Sequence, residues 1–261
     1  MTRHLAWLGV RLLVIAVLVA IWQLWTKSSG SLYFLPPFTI LADMRTQWFA
    51  GPASHLWLTS DAVGNVLPSL GRLLVGWAAA SVVGIAIGLA IGRMRLFADL
   101  VEPIVHFGRA VPAPTLVPVF LVIFGIGTPM EVATIAFGVI WPVLLNTIDG
   151  ARGVHPGHLE TATAFRLGPV QRLTSVILPS AAPKILAGVR LALSLAMVMM
   201  IISEFIGSTD GLGREVLVAE SNFQVSVMWG VVVLLGFLGV LLNLAFGLLE
   251  HQVLRWQRTA A

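Results

Sequence analysis

Apolar positions along the chain gather in long uninterrupted runs, with neither the alternation of a strand nor the narrow stripe of a soluble helix. Six runs read as membrane spans, at about residues 8–26, 70–92, 112–126, 129–148, 185–206 and 227–249. A helix needs about 20 apolar residues to cross the roughly 30 Å hydrocarbon layer. The third run is short and carries Pro112, Pro114 and Pro118, each of which removes a backbone donor and kinks a helix. Two polar stretches interrupt the pattern. One, about 27–69, holds YFLPPFTILADMRTQWFAG and predicts short surface helices; the other, about 149–184, lies between the fourth and fifth runs.

Composition turns this pattern into a class. Of 261 residues 57% are hydrophobic and 11% charged, against about 25% charged in a soluble domain. The chain therefore reads as an all-α polytopic membrane protein, one transmembrane domain over residues 1–261. Met1 to Thr26 has the Arg3/Arg11 and apolar-run layout of a signal sequence, but the run continues into Trp22 and Trp25, as an uncleaved first span does. Arg11 is placed to snorkel toward the interface. The net charge of +4 comes from basic residues scattered singly, with no stripe for nucleic acid.

The basic residues instead set an orientation. With both termini inside, cytoplasmic segments hold Arg3, Arg11, Arg93, Arg95, Arg109, Arg152, Arg166, Arg172, Lys184, Arg255 and Arg258; external ones hold Lys27, Arg45, Arg72 and Arg214. Arg190 falls at the foot of span five. This is the positive-inside asymmetry. Trp7, Trp22, Trp25, Trp229 and Trp256 lie near span ends, where amphipathic rings favour the headgroup layer. The absence of cysteine excludes disulfides and thiol catalysis.

Gly76, Ala80, Gly84, Gly88 and Gly92 recur every fourth residue along span two. Such a ridge admits close approach of another helix, either inside the bundle or at a subunit interface. Polar or flexible residues within spans mark a candidate translocation path: Trp141 and Asn146 in span four, then Ser194, Met197, Met200, Ser203 and Glu204 in span five. Glu204, near a span end, fits a solvated mouth or packed ion pair better than a substrate contact. Met197, Met199 and Met200 suit core filling or a constriction that repacks, and Asn243 suits a helix–helix contact. His4, His55, His106, His155, His158 and His251 lie at or near loops with no zinc-protease spacing. Only His155 and His158 share a helix face, where a plain surface loop competes with a metal site. An intramembrane enzyme or an inverted-repeat secondary transporter finds no support in these patterns.

The stretch from His155 to Pro183 reads as two short helices, about 156–167 and 169–177. Pro156 suits a first helical turn, Leu159, Ala162 and Phe165 form an apolar stripe, and Gly168-Pro169 breaks the run. Gln171, Arg172 and Ser175 face outward in the second helix, which Leu178-Pro179 ends. On these residues alone the segment is a surface loop, a re-entrant element or a docking lever for a soluble partner.

The same stretch resembles the EAA coupling loop of ABC-transporter permeases. Glu160 and Ala162 match its first and third positions, Val176 falls at the Ile position, and Leu178-Pro179 on the Leu-Pro, with the spacing of nineteen from Glu160 to Pro179 kept. Thr161 replaces the central Ala, and Arg166 stands at the usual Gly while Gly168 follows two residues later, so the sharp turn has two candidate positions. The stretches SLGRLLVGWAAASVVGIAIGLAIG, WPVLLNTIDGAR and ILPSAAPKILAGVRLALSLAMVMMIISEFIGSTDGLG extend the resemblance, over nearly the whole chain, to nitrate/sulfonate/taurine-type permeases.

The resemblance implies the six-span type I ABC importer permease fold in the bacterial cytoplasmic membrane, with both termini cytoplasmic. It implies a homodimer of permease chains, a cytoplasmic ABC ATPase dimer and an external solute-binding protein. No phosphate loop occurs in this sequence, so ATP and Mg belong to the ATPase and this chain binds no cofactor and catalyses no reaction. ATPase coupling falls to Glu160, Thr161, Ala162, Phe165, Arg166, Gly168, Pro169, Leu178 and Pro179. Glu160 is the polar anchor or a helix N-terminal lock, Ala162 and Phe165 fill the cleft, Gly168 and Pro169 shape the turn, and Pro179 links the lever to span five. The implied substrate is a sulfonate, taurine or nitrate-like oxyanion, with an aromatic carboxylate or pyrimidine precursor as the alternative.

Overall fold

The computed structural model describes residues 2–52 and 57–258, among which every regular element is a helix. The expectations for His55 and for the side chains of Arg3, His4, Trp7 and Arg258 fall outside the described residues. In chain order the elements are α1 (Thr2–Ser29), α2 (Pro37–Trp48), α3 (Ser60–Arg93), α4 (Arg95–Ala110), a 3-10 turn (Ala113–Leu116), α5 (Val117–Phe124) and α6 (Thr128–Arg152). Then follow α7 (Pro156–Ala164), α8 (Pro169–Arg172), a π turn (Leu173–Ile177), α9 (Leu178–Gly207), α10 (Leu212–Ser221), α11 (Val225–Val253) and α12 (Arg255–Arg258).

Five helical stretches are long and apolar enough to cross a membrane: Gly9–Ser29, Ser60–Arg93, Thr128–Arg152, Pro169–Gly207 and Val225–Val253. The sixth crossing departs from the expected continuous helix at 112–126. Val117–Phe124 has eight residues, about 12 Å of helix, which is far short of a bilayer. With its 3-10 turn it forms a broken pair with α4, bent by 89° at the break. Pro112, Pro114 and Pro118 account for the break, because three missing N–H groups in seven residues leave no continuous ladder. α4, not recognised as an element from sequence, buries Ala98 and Val105 and exposes Leu96, Leu100, Ile104 and Phe107.

A second correction concerns Leu178-Pro179, which does not end a helix. From Pro169 to Gly207 the chain is one helical rod of 39 residues, about 58 Å long. The rod survives Pro179 because the preceding turn is widened: the Leu178 N–H donates to the Leu173 carbonyl, five residues back. Pro179, with no N–H to give, starts the regular helix beyond that π turn.

α6 lies between α3 and α9, and the small-residue ridge of α3 faces it within the same chain. A Cβ added at Gly76 would lie 2.7 Å from Ile135 Cγ2, at Gly88 2.7 Å from Thr147 Cβ, and at Gly92 2.5 Å from Ala151 Cβ. The ridge therefore serves packing inside the bundle. On its other side α6 meets α9 equally closely, with Gly188 against the Pro142 carbonyl and Asn146. Trp77 of α3 crosses to both α9 and α11, its indole N–H donating to the Val189 carbonyl at 3.0 Å and its ring set edge-on to Phe246. α2 lies over the start of α11, burying Ile40, Met44 and Trp48.

Because van der Waals contact at close range drives helix association in lipid, filling the ridge is costly. Gly88→Val is expected to lower stability by about 1–3 kcal/mol, read as a reduced melting temperature of the detergent-solubilised protein, whereas Gly71→Ala, which meets open space within α3, leaves it level or slightly higher.

Candidate functional site

At one end of the bundle, between α6 and α9, the polar stretch folds into a projecting helix. Pro156 opens α7, and His155 caps it, its Nδ1 accepting the Gly157 N–H at 3.1 Å. That bond gives His155 a structural task; its ring lies tilted against His158, centroids 5.8 Å apart. Ala162 is buried, Leu159 half-buried, and Glu160, Thr161 and Phe165 are exposed. Phe165 keeps 76% of its surface accessible, so it stands out from the expected stripe as a projecting aromatic.

The turn after α7 falls on Arg166, which has φ +51. The Arg166 N–H donates to the Thr163 carbonyl and the Leu167 N–H to the Ala162 carbonyl, both at 2.9 Å. This pair of bonds is the Schellman closure, with Arg166 at the left-handed position that glycine usually fills. Gly168 is extended (φ −64, ψ 162) and meets nothing where a side chain would sit, so it is not the residue that makes the turn. It caps α8, whose first residue is Pro169. Behind α7, Ala162, Phe165 and Leu167 face Ser175, Val176 and Ser180 across a hollow of about 510 Å³.

At the opposite end a buried ion cluster joins three spans. Arg72 of α3 reaches Glu204 of α9, Nη1 to Oε1 at 3.0 Å, and Glu131 of α6, Nε to Oε2 at 2.5 Å. The same guanidinium pairs with Asp210 in the loop after α9 and donates to Ser208 Oγ at 3.2 Å. The Glu204 carboxylate also accepts the Ser69 hydroxyl and the Gly213 N–H, each at 2.7 Å. Ser69 Oγ accepts the Leu212 N–H in turn, so the start of α10 hangs on α3 and α9 together. Glu131 and Glu204 are fully enclosed, and a carboxylate in that setting requires a partner. Sequence alone placed Arg72 in an external segment. The available signal was that Arg72, Glu131 and Glu204 each lie within a few residues of the same end of their spans.

Further along α10, Asn65 Nδ2 donates to Glu215 Oε2 at 3.3 Å. Burial raises the Glu215 pKa, Asp61 adds to the rise and Arg214 opposes it.

The other span residues each meet a different neighbour. Asn146 Nδ2 donates to the Pro142 carbonyl at 2.8 Å, and Trp141 stacks edge-on with Phe137 beside Gly108. Ser194 is exposed and accepts Asn243 Nδ2 at 3.3 Å. Met197 lies against Gly239, Met199 against Gly138, Met200 is buried, and the Ser203 hydroxyl donates to the Met200 carbonyl at 2.8 Å.

These arrangements carry three expectations. Arg72→Ala leaves two buried carboxylates without a counter-ion and costs about 3–5 kcal/mol of stability, read by thermal unfolding, while Glu131→Gln costs far less. Arg166→Gly removes a left-handed arginine and raises stability by up to about 1 kcal/mol. Glu215 has a folded-state pKa above its unfolded value, so its contribution is complete below the unfolded pKa and is lost as pH rises through the folded pKa. Glu215→Gln therefore flattens the fall of the melting temperature that begins as pH rises out of the ordinary carboxylate range.

Residues 80–258 match the family model of the binding-protein-dependent transport system inner membrane component. The chain is 29% identical over 250 residues to SsuC of Bacillus subtilis (strain 168), assigned as an aliphatic sulfonates transport permease, covering 95% of this chain and 87% of that protein. It is 28% identical over 240 residues to the nitrate import permease protein NrtB of Synechocystis sp., covering 92% and 86%. Among solved structures, an inward-facing form of the MetNI methionine ABC transporter superposes with a TM-score of 0.64 at 23% identity, covering 77% of this chain and 99% of that one. The bundle of five membrane-length helices plus a broken pair, and the family match over most of its length, make this chain a member of the binding-protein-dependent transport system inner membrane components, with the type I ABC importer permease fold.

Proposed function

We propose that this chain is the membrane-spanning permease subunit of an ATP-driven importer that carries a small oxyanion of the sulfonate, taurine or nitrate kind. The observation that carries this reading is α7 with its exposed Phe165, set beside the start of the 39-residue rod that crosses the membrane. A soluble ATPase that grips α7 holds a stiff lever, because no chain break separates Pro169 from Gly207. Glu160, Thr161, Phe165 and Arg166 form the docking face with Ala162 buried behind it, Gly168 caps the rod that Pro169 begins, and Leu178 and Pro179 follow its π turn.

In this reading two copies of the chain enclose the path. An external binding protein delivers solute at the Arg72 end, and an ATPase dimer, holding the ATP and Mg, acts at the α7 end. The excess of basic residues on segments of the α7 end supports placing that end and both termini in the cytoplasm of a bacterium. The oxyanion class rests on the sulfonate and nitrate permeases among the relatives; an aromatic carboxylate or pyrimidine precursor is the second substrate class to test.

With the ATPase subunit and binding protein assembled in lipid, Phe165→Ala is expected to weaken ATPase docking about 30-fold, as loss of an aromatic anchor does. Glu160→Ala is expected to lower solute-stimulated ATP hydrolysis. Unchanged docking and stimulation in both variants would remove α7 from the coupling mechanism. Mass-spectrometric identification of the solute carried by the binding protein decides the substrate class.

A further inference from the structure

Three non-glycine residues hold left-handed backbone among those described: Trp57, Arg166 and Phe223. At Arg166 the fold needs only a residue that tolerates φ near +51, which glycine does without strain. No internal contact compensates for arginine there. The side chain is exposed, and among the described residues its guanidinium has no hydrogen bond or ion pair. Three other basic side chains at the α7 end serve the chain itself: Arg93 donates to the Ala151 carbonyl, Arg152 pairs with Glu102, and Arg190 donates to Glu250. Backbone strain that the fold does not use concentrates where a chain meets another molecule.

We propose that Arg166 is a specificity determinant of the coupling interface, its guanidinium pairing with a carboxylate at the rim of the ATPase cleft that receives Phe165. The inference rests on the reading of α7 as the docking element and names the chemistry of its partner. Phe165 and Leu167, the immediate neighbours of Arg166, both line the hollow behind α7, so the charge stands at the lip of an apolar contact. A planar guanidinium fits a carboxylate through two parallel N–H bonds, which fixes orientation as well as charge. The Schellman closure anchors the backbone on both sides of the residue, so the fork is presented from a fixed point.

A lipid phosphate would offer the same charge, but the shape of α7 disfavours it. Between Pro156 and Ala164 the exposed residues include Glu160, Thr161 and Thr163, whereas a helix lying in the headgroup layer turns a broad apolar face toward the acyl chains. The tip of α7 faces water and a soluble partner. An ion pair at such a rim governs partner choice and salt dependence more than total affinity.

The experiment measures the affinity of the cognate ATPase subunit for the full permease in nanodiscs of zwitterionic phosphatidylcholine, across a salt series. Arg166→Gly is expected to weaken binding about fivefold and flatten its salt dependence, although the melting temperature of the permease stays level or rises. Arg166→Lys recovers part of the loss, and Arg166→Glu is rescued by replacing an acidic residue at the cleft rim with lysine. Native affinity and salt slope in Arg166→Gly would overturn the proposal. So would a defect confined to nanodiscs containing anionic phosphatidylglycerol, which would identify a headgroup as the partner. Phe165→Ala run in parallel separates the two levels: if it weakens docking while Arg166→Gly does not, only the Arg166 pairing fails. If neither variant affects docking, α7 itself is not the docking element.

Discussion

The Arg72 guanidinium holds the ends of three membrane helices in one register. It reaches Glu131, Glu204 and Asp210 at once, and the Glu204 carboxylate ties in Ser69 and the first turn of α10. Each buried ion carries a desolvation cost of several kcal/mol that only its partners offset. The cluster is therefore stable as a whole and poor in part, and separating any one helix exposes the others to that cost. Close packing of α3 and α9 on α6 extends the constraint down the bundle, since backbone atoms there face glycines with no spare volume.

Glu204 is also the far end of the long rod. The same helical stretch begins at Pro169, next to the projecting α7, and ends at Gly207, three residues after the ion cluster. A force applied at α7 passes the tight turn at Phe165–Gly168 and then meets no further loop before it reaches Glu204 and its partner Arg72. The rod is softened at the π turn at Leu173–Ile177, where hydrogen-bond geometry is weaker, and at Pro183, which removes a backbone donor within α9. The projecting α7 at one end and the buried ion cluster at the other thus share one helical element.

Much of this was legible in residue order. Hydrophobic run length finds five spans, but the helices of the second and fifth begin well before the apolar runs at 70 and 185, at Ser60 and Pro169, and the break from pattern at 149–184 marks the projecting helix. The third span differs from its hydropathy run because such a run does not register hydrogen-bond continuity, which Pro112, Pro114 and Pro118 interrupt. Leu178-Pro179 was read as a stop because proline usually is one; a widened turn just before it removes the clash, and nothing local in the sequence announces that turn. Arg166 illustrates a third kind of gap. Glycine is the default left-handed residue, so Gly168 drew the expectation, yet the Schellman bonds fall two residues earlier.

The sequence by itself determined that this chain crosses a membrane repeatedly, which segment leaves it, and that the ridge from Gly76 to Gly92 meets something closely. Those properties follow from transfer energies and side-chain size, which are local. Tertiary structure decided that the ridge packs on α6 of the same chain, that Arg72, Glu131 and Glu204 converge, and that Arg166 takes the strained turn. The first two depend on where residues far apart in sequence come to lie, since a buried charge or a close backbone contact has no energy until its partner is in place; the Arg166 turn is closed locally, by bonds to Thr163 and Ala162.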